Sequence, residues 1–186
     1  MVFLDIETKT WSDFMQITDA EISYMGVIDD EGKELDFWEK DLPKLKPILE
    51  KTDWIVGYNS IGFDMPIIGK YLGKAINDLP QLDLMVALNK TLGFRPKLDV
   101  VATTTLGRGK IGHGSDAPVY WAKGDLDSLR KYCMEDVRLT KELYEFGLKN
   151  GYVKYIDKQG FVREVKINWD LGKKFVKPVE QTLSLF

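Results

Sequence analysis

"VFLDIET" (residues 2–8) is the stretch from which the rest of the chain can be read. Its near-continuous apolar run is that of a central β-strand. Asp5 and Glu7 interrupt the run, one residue apart. On a strand, alternate side chains share a face, so both carboxylates point the same way, about 7 Å apart along the chain. Two acids on one face of a buried strand are costly without a compensating charge. With a single histidine in the sequence and few cations nearby, a divalent metal is the simplest compensation.

Further along, "EISYMGVID" (21–29) and "KELDFWEK" (33–40) flank the turn signal "DEGK" (30–33) and predict a hairpin. "LPKLKPILEKT" (42–52) reads as a short helix with Pro43 in its first turn, and "DWIVGYN" (53–59) as another buried strand. Gly62 precedes a helix carrying Met65, Ile67, Ile68 and Tyr71. "LPQLDLMVAL" (79–88) fits a strand or a helix entry equally well. "KLDVVATTTLG" (97–107) reads as a short helix, and the three glycines and one proline of "RGKIGHGSDAP" (108–118) as a loop. From Asp125, Leu126, Leu129, Cys133, Val137, Thr140 and Tyr144 recur at three and four, one stripe of a long helix that Gly151 can cap. A second hairpin is expected at about 152–168. Strands first, then helices interleaved, predict an α/β sandwich around a mixed sheet.

Two more acids sit where such elements would aim them inward. Asp64, in "GYNSIGFDMPII" (57–68), follows a strand and opens a helix; Asp136 lies one turn beyond Tyr132 on the long helix. Taken singly, an Asp at a helix start is usually an N-cap and one on a helix is usually solvated. Together with Asp5 and Glu7 they form an all-oxygen donor set, suited to Mg²⁺ or Mn²⁺ and not to zinc. Two such ions, roughly 4 Å apart, suit in-line displacement at phosphorus.

In order along the chain, "DIET", "YNSIGFD" and "YCMED" resemble the three exonuclease motifs of the DEDD superfamily, in the forms DxE, NxxxFD and YxxxD of its tyrosine subclass. The wording is especially similar to the proofreading domain of family B DNA polymerases and its stand-alone relatives, over about residues 1–150. The resemblance implies a ribonuclease H-like fold with a central mixed five-stranded sheet, and two-metal 3′-5′ hydrolysis of a nucleic-acid strand. It further implies that Asp5, Glu7, Asp64 and Asp136 hold two divalent ions, Mg²⁺ or Mn²⁺, that Asp5 bridges them, and that Tyr132 orients the attacking water. The histidine subclass places a general base five residues before the last Asp; Lys131 stands there, so His113 is not expected to be the base. Asn59 and Phe63 would contact the terminal nucleotide, with core packing an equal alternative for Phe63. Trp11 and Phe14 lie where family members part the terminal base from its neighbour, although core packing explains either.

Outside the motifs, Asp83 is either an acid supporting the site or a strand-end polar residue. "LGRGKIGHG" (106–114) offers glycines for close approach to a phosphate and Lys110 to pair with it, or is a plain loop. The chain ends on "QTLSLF", in which Gln181, Leu183, Leu185 and Phe186 resemble the short peptides by which bacterial DNA polymerases and proofreading subunits dock on the sliding clamp. A final element packed on the core is the alternative.

Composition bounds these expectations. At 186 residues with a net charge of −3, the chain suits one domain and shows no basic footprint for nucleic acid, but an acidic metal cleft accounts for negative charge in a nuclease. The sequence lacks the ~20-residue apolar run of a membrane span, "MVFLDIETK" brings acids too early for a signal peptide, and Cys133 alone forms no internal disulfide. A cytoplasmic protein is expected, with residues 1–170 as catalytic domain and 171–186 as tail. The expected activity is 3′-5′ exonuclease action on DNA in replication proofreading or repair, with a DNA polymerase and a clamp as partners. The competing expectations are an RNA-directed or structure-selective nuclease of the same fold, and an inactive scaffold module. Retention of all four acids and the tyrosine argues against the last.

Overall fold

A computed structural model describes residues 1–10, 12, 15–113, 115–169 and 171. Strand β1 (Val2–Thr8) runs through the middle of a five-stranded sheet, with β2 (Ile22–Asp29) and β3 (Glu34–Trp38) on one side and β4 (Ile55–Gly57) and β5 (Gln81–Asp83) on the other. The order is β3-β2-β1-β4-β5; β1, β4 and β5 are parallel, and β2 and β3 antiparallel to their neighbours. This is the mixed sheet that the sequence predicts. Around it stand α1 (Lys46–Lys51), α2 (Asp64–Leu72), α3 (Leu84–Leu92), α4 (Leu98–Leu106), α5 (Asp116–Lys123) and α6 (Leu126–Asn150), and the chain continues into a hairpin of β6 (Tyr152–Ile156) and β7 (Val162–Lys166).

The pleat of β1 sorts its side chains between two cores. Val2, Leu4 and Ile6 pack with residues of α1 and α2, whereas Phe3 packs with α4 and α6. Asp5 and Glu7 have the parity of Phe3, so they face α6. That helix is seated by Leu129, Cys133, Val137, Thr140 and Tyr144, all buried; a fully buried leucine-sized side chain contributes about 1.5–3 kcal/mol. Leu126, the first helical residue, is instead exposed. The Asp125 side chain accepts from the N–H of Ser128 at 3.2 Å, and Gly151, at φ 78°, closes the other end.

Gly26, opposite Asp5 on β2, lets α6 approach. A Cβ there would lie 2.6 Å from Met134 Sδ and 3.1 Å from Val137 Cγ2. Arg138 reaches Glu34 at 2.7 and 2.8 Å and Arg130 reaches Asp36 at 2.9 Å twice, tying α6 to β3.

Local departures from expectation follow from proline and capping chemistry. The helix expected over 42–52 is split: Pro43 lies in a 3₁₀ stretch (Glu39–Lys44), and Pro47 takes the first turn of α1. Residues 79–88 are both alternatives in succession, a short strand and then a helix, with Asp83 at the junction. The loop expected over 108–118 stops early because Pro118 lies in the first turn of α5, where a missing N–H costs nothing. The second hairpin packs on α4 and α6, with Thr105 Oγ1 bonded to the backbone of Lys154. No helix of the described residues is long and apolar enough to cross a membrane.

Candidate active site

β4 pairs with β1 only at Val2 and Phe3, leaving the N–H of Ile6 beyond that ladder. Asp64, the first residue of α2, takes it: its Oδ1 accepts from Ile6 N at 3.0 Å. This contact sets a buried third carboxylate against the strand that carries Asp5 and Glu7. From the opposite side α6 brings Asp136, 3% exposed, and Tyr132, 2% exposed. All four acids lie close enough to repel one another.

The repulsion and the burial act together on ionisation. Enclosure by protein, then the charges of Asp64, Asp136 and Glu7, push Asp5 well above the usual carboxylate range, although both strand acids remain partly open to the cavity in front of them. Glu7 is raised in the same way, by burial first and then by Asp136. Burial pushes Asp64 up to about 7 and Asp136 up to about 6. Buried anions of this kind need cations.

One cation is already present. Lys110 forms an ion pair with Oδ2 of Asp136, and its Nζ lies 5.1 Å from the centre of the Tyr132 ring. Burial opposes its charge, but Asp136 and Asp5 outweigh burial and hold the ammonium protonated. The loop that delivers Lys110 is pinned at three points. Arg108 pairs with Glu135 and Glu142 of α6, Lys110 N donates to Asp99 Oδ1 at 2.9 Å, and His113 N donates to Asp116 Oδ2 at 2.7 Å. A Cβ at Gly109 would fall 2.2 Å from Asp99 Oδ1, so a side chain here would displace the carboxylate that holds Lys110 N. Residues 107–113 are thus a loop without helix or strand, fastened by side chains of α4, α5 and α6.

The donors fit a hard divalent ion. Asp136 Oδ1 is buried with no aligned hydrogen-bond partner, so Asp136 keeps an oxygen for a cation, while the Tyr132 hydroxyl has Lys110 beside it. Carboxylate oxygens of Asp5 and Glu7 lie, with Cys133 Sγ, within 4.8 Å of one another. Cys133 Sγ is 3.5 Å from Asp5 Oδ2, but burial and the neighbouring Asp5 charge keep it a neutral thiol, a poor ligand for Mg²⁺ or Mn²⁺.

Asp83 is a fastener. Its Oδ1 accepts from Asn59 N at 2.8 Å and Val86 N at 3.1 Å, and its Oδ2 from Ile61 N at 3.0 Å, so it caps α3 and bolts down the turn after β4. Asn59, at φ 66°, lines a cavity of about 640 Å³ together with Asp5, Asp136 and Lys110. Phe63 is half-buried against the α1/α2 core. His113 is exposed at the cavity edge, and Lys131 is exposed on α6. Trp11, Phe14, Gln181, Leu183, Leu185 and Phe186 lie outside the described residues. Arg95 also lines the cavity, and no sequence motif marks it.

Residues 2–146 match the family model of the RNase H superfamily. The chain belongs to this superfamily. Among solved structures, the RNase H fold seen here is similar to part of the family B DNA polymerase of the hyperthermophilic archaeon Pyrobaculum calidifontis, with a TM-score of 0.63 and 21% sequence identity over 79% of this chain. The chain spans only 24% of that polymerase, so the likeness is one of fold. No curated protein matches the sequence.

Proposed function

We propose that residues 1–170 of this RNase H superfamily member form a 3′-5′ exonuclease of the tyrosine type, using two divalent ions to remove nucleotides from a DNA strand. The observation that carries this reading is the convergence of Asp5, Glu7, Asp64 and Asp136 from three separate elements, with the Tyr132 hydroxyl beside them. A fold has no structural use for two buried and two half-open acids that repel one another across one cavity, which supports reading it as a working site. Bound divalent ions supply charge neutralisation and Lewis-acid activation for in-line phosphoryl transfer.

The chain's own residues do the rest. Asp5, Glu7, Asp64 and Asp136 hold the ions. Lys110 offers a fixed positive charge to a phosphate oxygen. Tyr132, whose hydroxyl burial keeps protonated, offers an oriented hydroxyl to the attacking water. Asn59, on the cavity wall, and Phe63 are the residues expected to meet the terminal nucleotide. Because the acids address phosphate and not sugar, the assay must compare DNA with RNA.

A 5′-labelled single strand incubated with protein and Mg²⁺ or Mn²⁺ is expected to shorten stepwise from its 3′ end. A 3′-blocked or circular strand should resist. No metal-dependent shortening, or full activity in Asp5→Ala and Asp136→Ala, defeats the proposal. A link to a sliding clamp rests on the sequence of residues 181–186 alone; their removal should spare hydrolysis of a short oligonucleotide and abolish clamp binding.

A further inference from the structure

Arg95 stands in the turn between α3 and α4, and its Nη2 donates to Oδ1 of Asn59. The neighbouring residues make a second bridge between the same two turns: Tyr58 Oη donates to the carbonyl of Pro96 at 2.8 Å. Asp83 meanwhile holds the N–H of Asn59, whose backbone is in the left-handed region. At Gly62 an added Cβ would come within 3.0 Å of Asn59 Oδ1 and 3.8 Å of Arg95 Nη2, so the chain leaves space for this pair. Since a guanidinium only donates, the amide oxygen must face it, and the Nδ2 group is left as the free donor.

The charge on Arg95 is also unusual for this protein. Arg108, Arg130, Arg138 and Arg163 are each paired with a carboxylate. Among the described residues Arg95 has no such partner, although it is exposed beside Lys97 on the wall of the cavity that holds Asp5 and Asp136. A guanidinium with one donor fixed and the others uncommitted presents a planar fork suited to phosphate.

We propose that Arg95 is a strand-binding residue: it fixes the Asn59 carboxamide and takes a backbone phosphate of a single nucleic-acid strand whose end lies at the four carboxylates. The proposal rests on the exonuclease reading for the identity of that ligand. It adds a phosphate subsite and a reason for the strained geometry of Asn59. An ordinary exposed loop arginine would move neither affinity nor its salt dependence.

Anisotropy of a fluorescent single-stranded oligonucleotide in EDTA tests this without hydrolysis. Arg95→Ala should weaken binding about tenfold, as expected for losing a charge-assisted bond. It should also lower the slope of log Kd against log salt by about 0.7, the share of one phosphate on a single strand. Arg95→Lys should restore the slope but not the full affinity, because a lysine cannot hold Asn59 and the phosphate together. Asn59→Ala and Arg95→Ala should be less than additive. Where hydrolysis is measured, Arg95→Ala should raise KM more than it lowers kcat. Unchanged affinity and slope in a folded Arg95→Ala variant, checked by its melting temperature, overturn the subsite even if the wild type is an active nuclease. A wild type that binds with an Arg95-dependent slope yet never shortens the strand keeps the subsite and defeats the exonuclease reading.

Discussion

Lys110 is ion-paired with Asp136 inside the acidic cavity, so a side chain of the protein itself neutralises part of the charge that a metal would otherwise meet. Lysine and metal therefore compete for one carboxylate. Lys110→Ala should bind Mn²⁺ several-fold more tightly at pH 8 by calorimetry, because the competing cation is gone. It should nevertheless hydrolyse a strand about 10²-fold more slowly, the usual cost of removing one preorganised charge from a phosphoryl-transfer site. Weaker metal binding would show that Lys110 supports the metal site and does not rival it.

The raised carboxylates fix the direction of pH dependence. Asp64 lies at about 7 and Asp136 at about 6, against 3.8 in an unfolded chain, so the metal-free folded state binds more protons between pH 4 and 7. Its stability should fall as pH rises through that window, and Asp5 and Glu7, also raised well above the usual carboxylate range, extend the fall to higher pH. Divalent ions bind the ionised form. Their stabilising effect on the melting temperature should thus be larger at pH 8 than at pH 5, and a metal-free protein that gains stability toward pH 8 would contradict this account.

Gly26 carries the close packing of α6 on the sheet, and its neighbour across the ladder is Asp5. Gly26→Ala would thrust a methyl into Met134 and Val137. Overpacking of this kind costs about 1–3 kcal/mol. Because the displaced helix carries both Tyr132 and Asp136, nuclease activity should fall by more than the loss of folded protein explains, a comparison made by measuring turnover well below the melting temperature. Cavity-forming Met134→Ala in the same background should recover part of both losses.

The sheet, the long helix and the acids were legible because they depend on local periodicity: alternate residues on β1 and the three-and-four spacing on α6 put Asp5, Glu7, Tyr132 and Asp136 on facing sides. The fasteners were not legible. Arg95 meets Asn59 across 36 residues and Arg108 meets Glu142 across 34, and nothing in the chemistry of either segment names its partner. Asp83 could be read two ways because its three backbone donors come from two different elements. Helix α5 was hidden by proline, which marks a loop or a first turn with equal force.

Tyr132 separates function from structure most cleanly. Its ring is buried against Tyr120, at 6.5 Å between centres, and contributes to the core, but its hydroxyl is an enclosed polar atom whose neighbouring donor is Lys110. Lys110 is already held by Asp136, so losing the hydroxyl leaves that ammonium paired and costs little. Tyr132→Phe should therefore melt close to the wild-type temperature and bind Mn²⁺ with unchanged affinity, since the four carboxylates are untouched. If the hydroxyl positions the attacking water, strand hydrolysis should still drop by about 10²-fold or more. His113→Ala, altering an exposed side chain at the cavity edge, should keep most of its activity. A Tyr132→Phe variant as fast as the wild type would remove the tyrosine from the reaction, and a fast Tyr132→Phe variant beside a slow His113→Ala one would move the water-orienting role to the histidine.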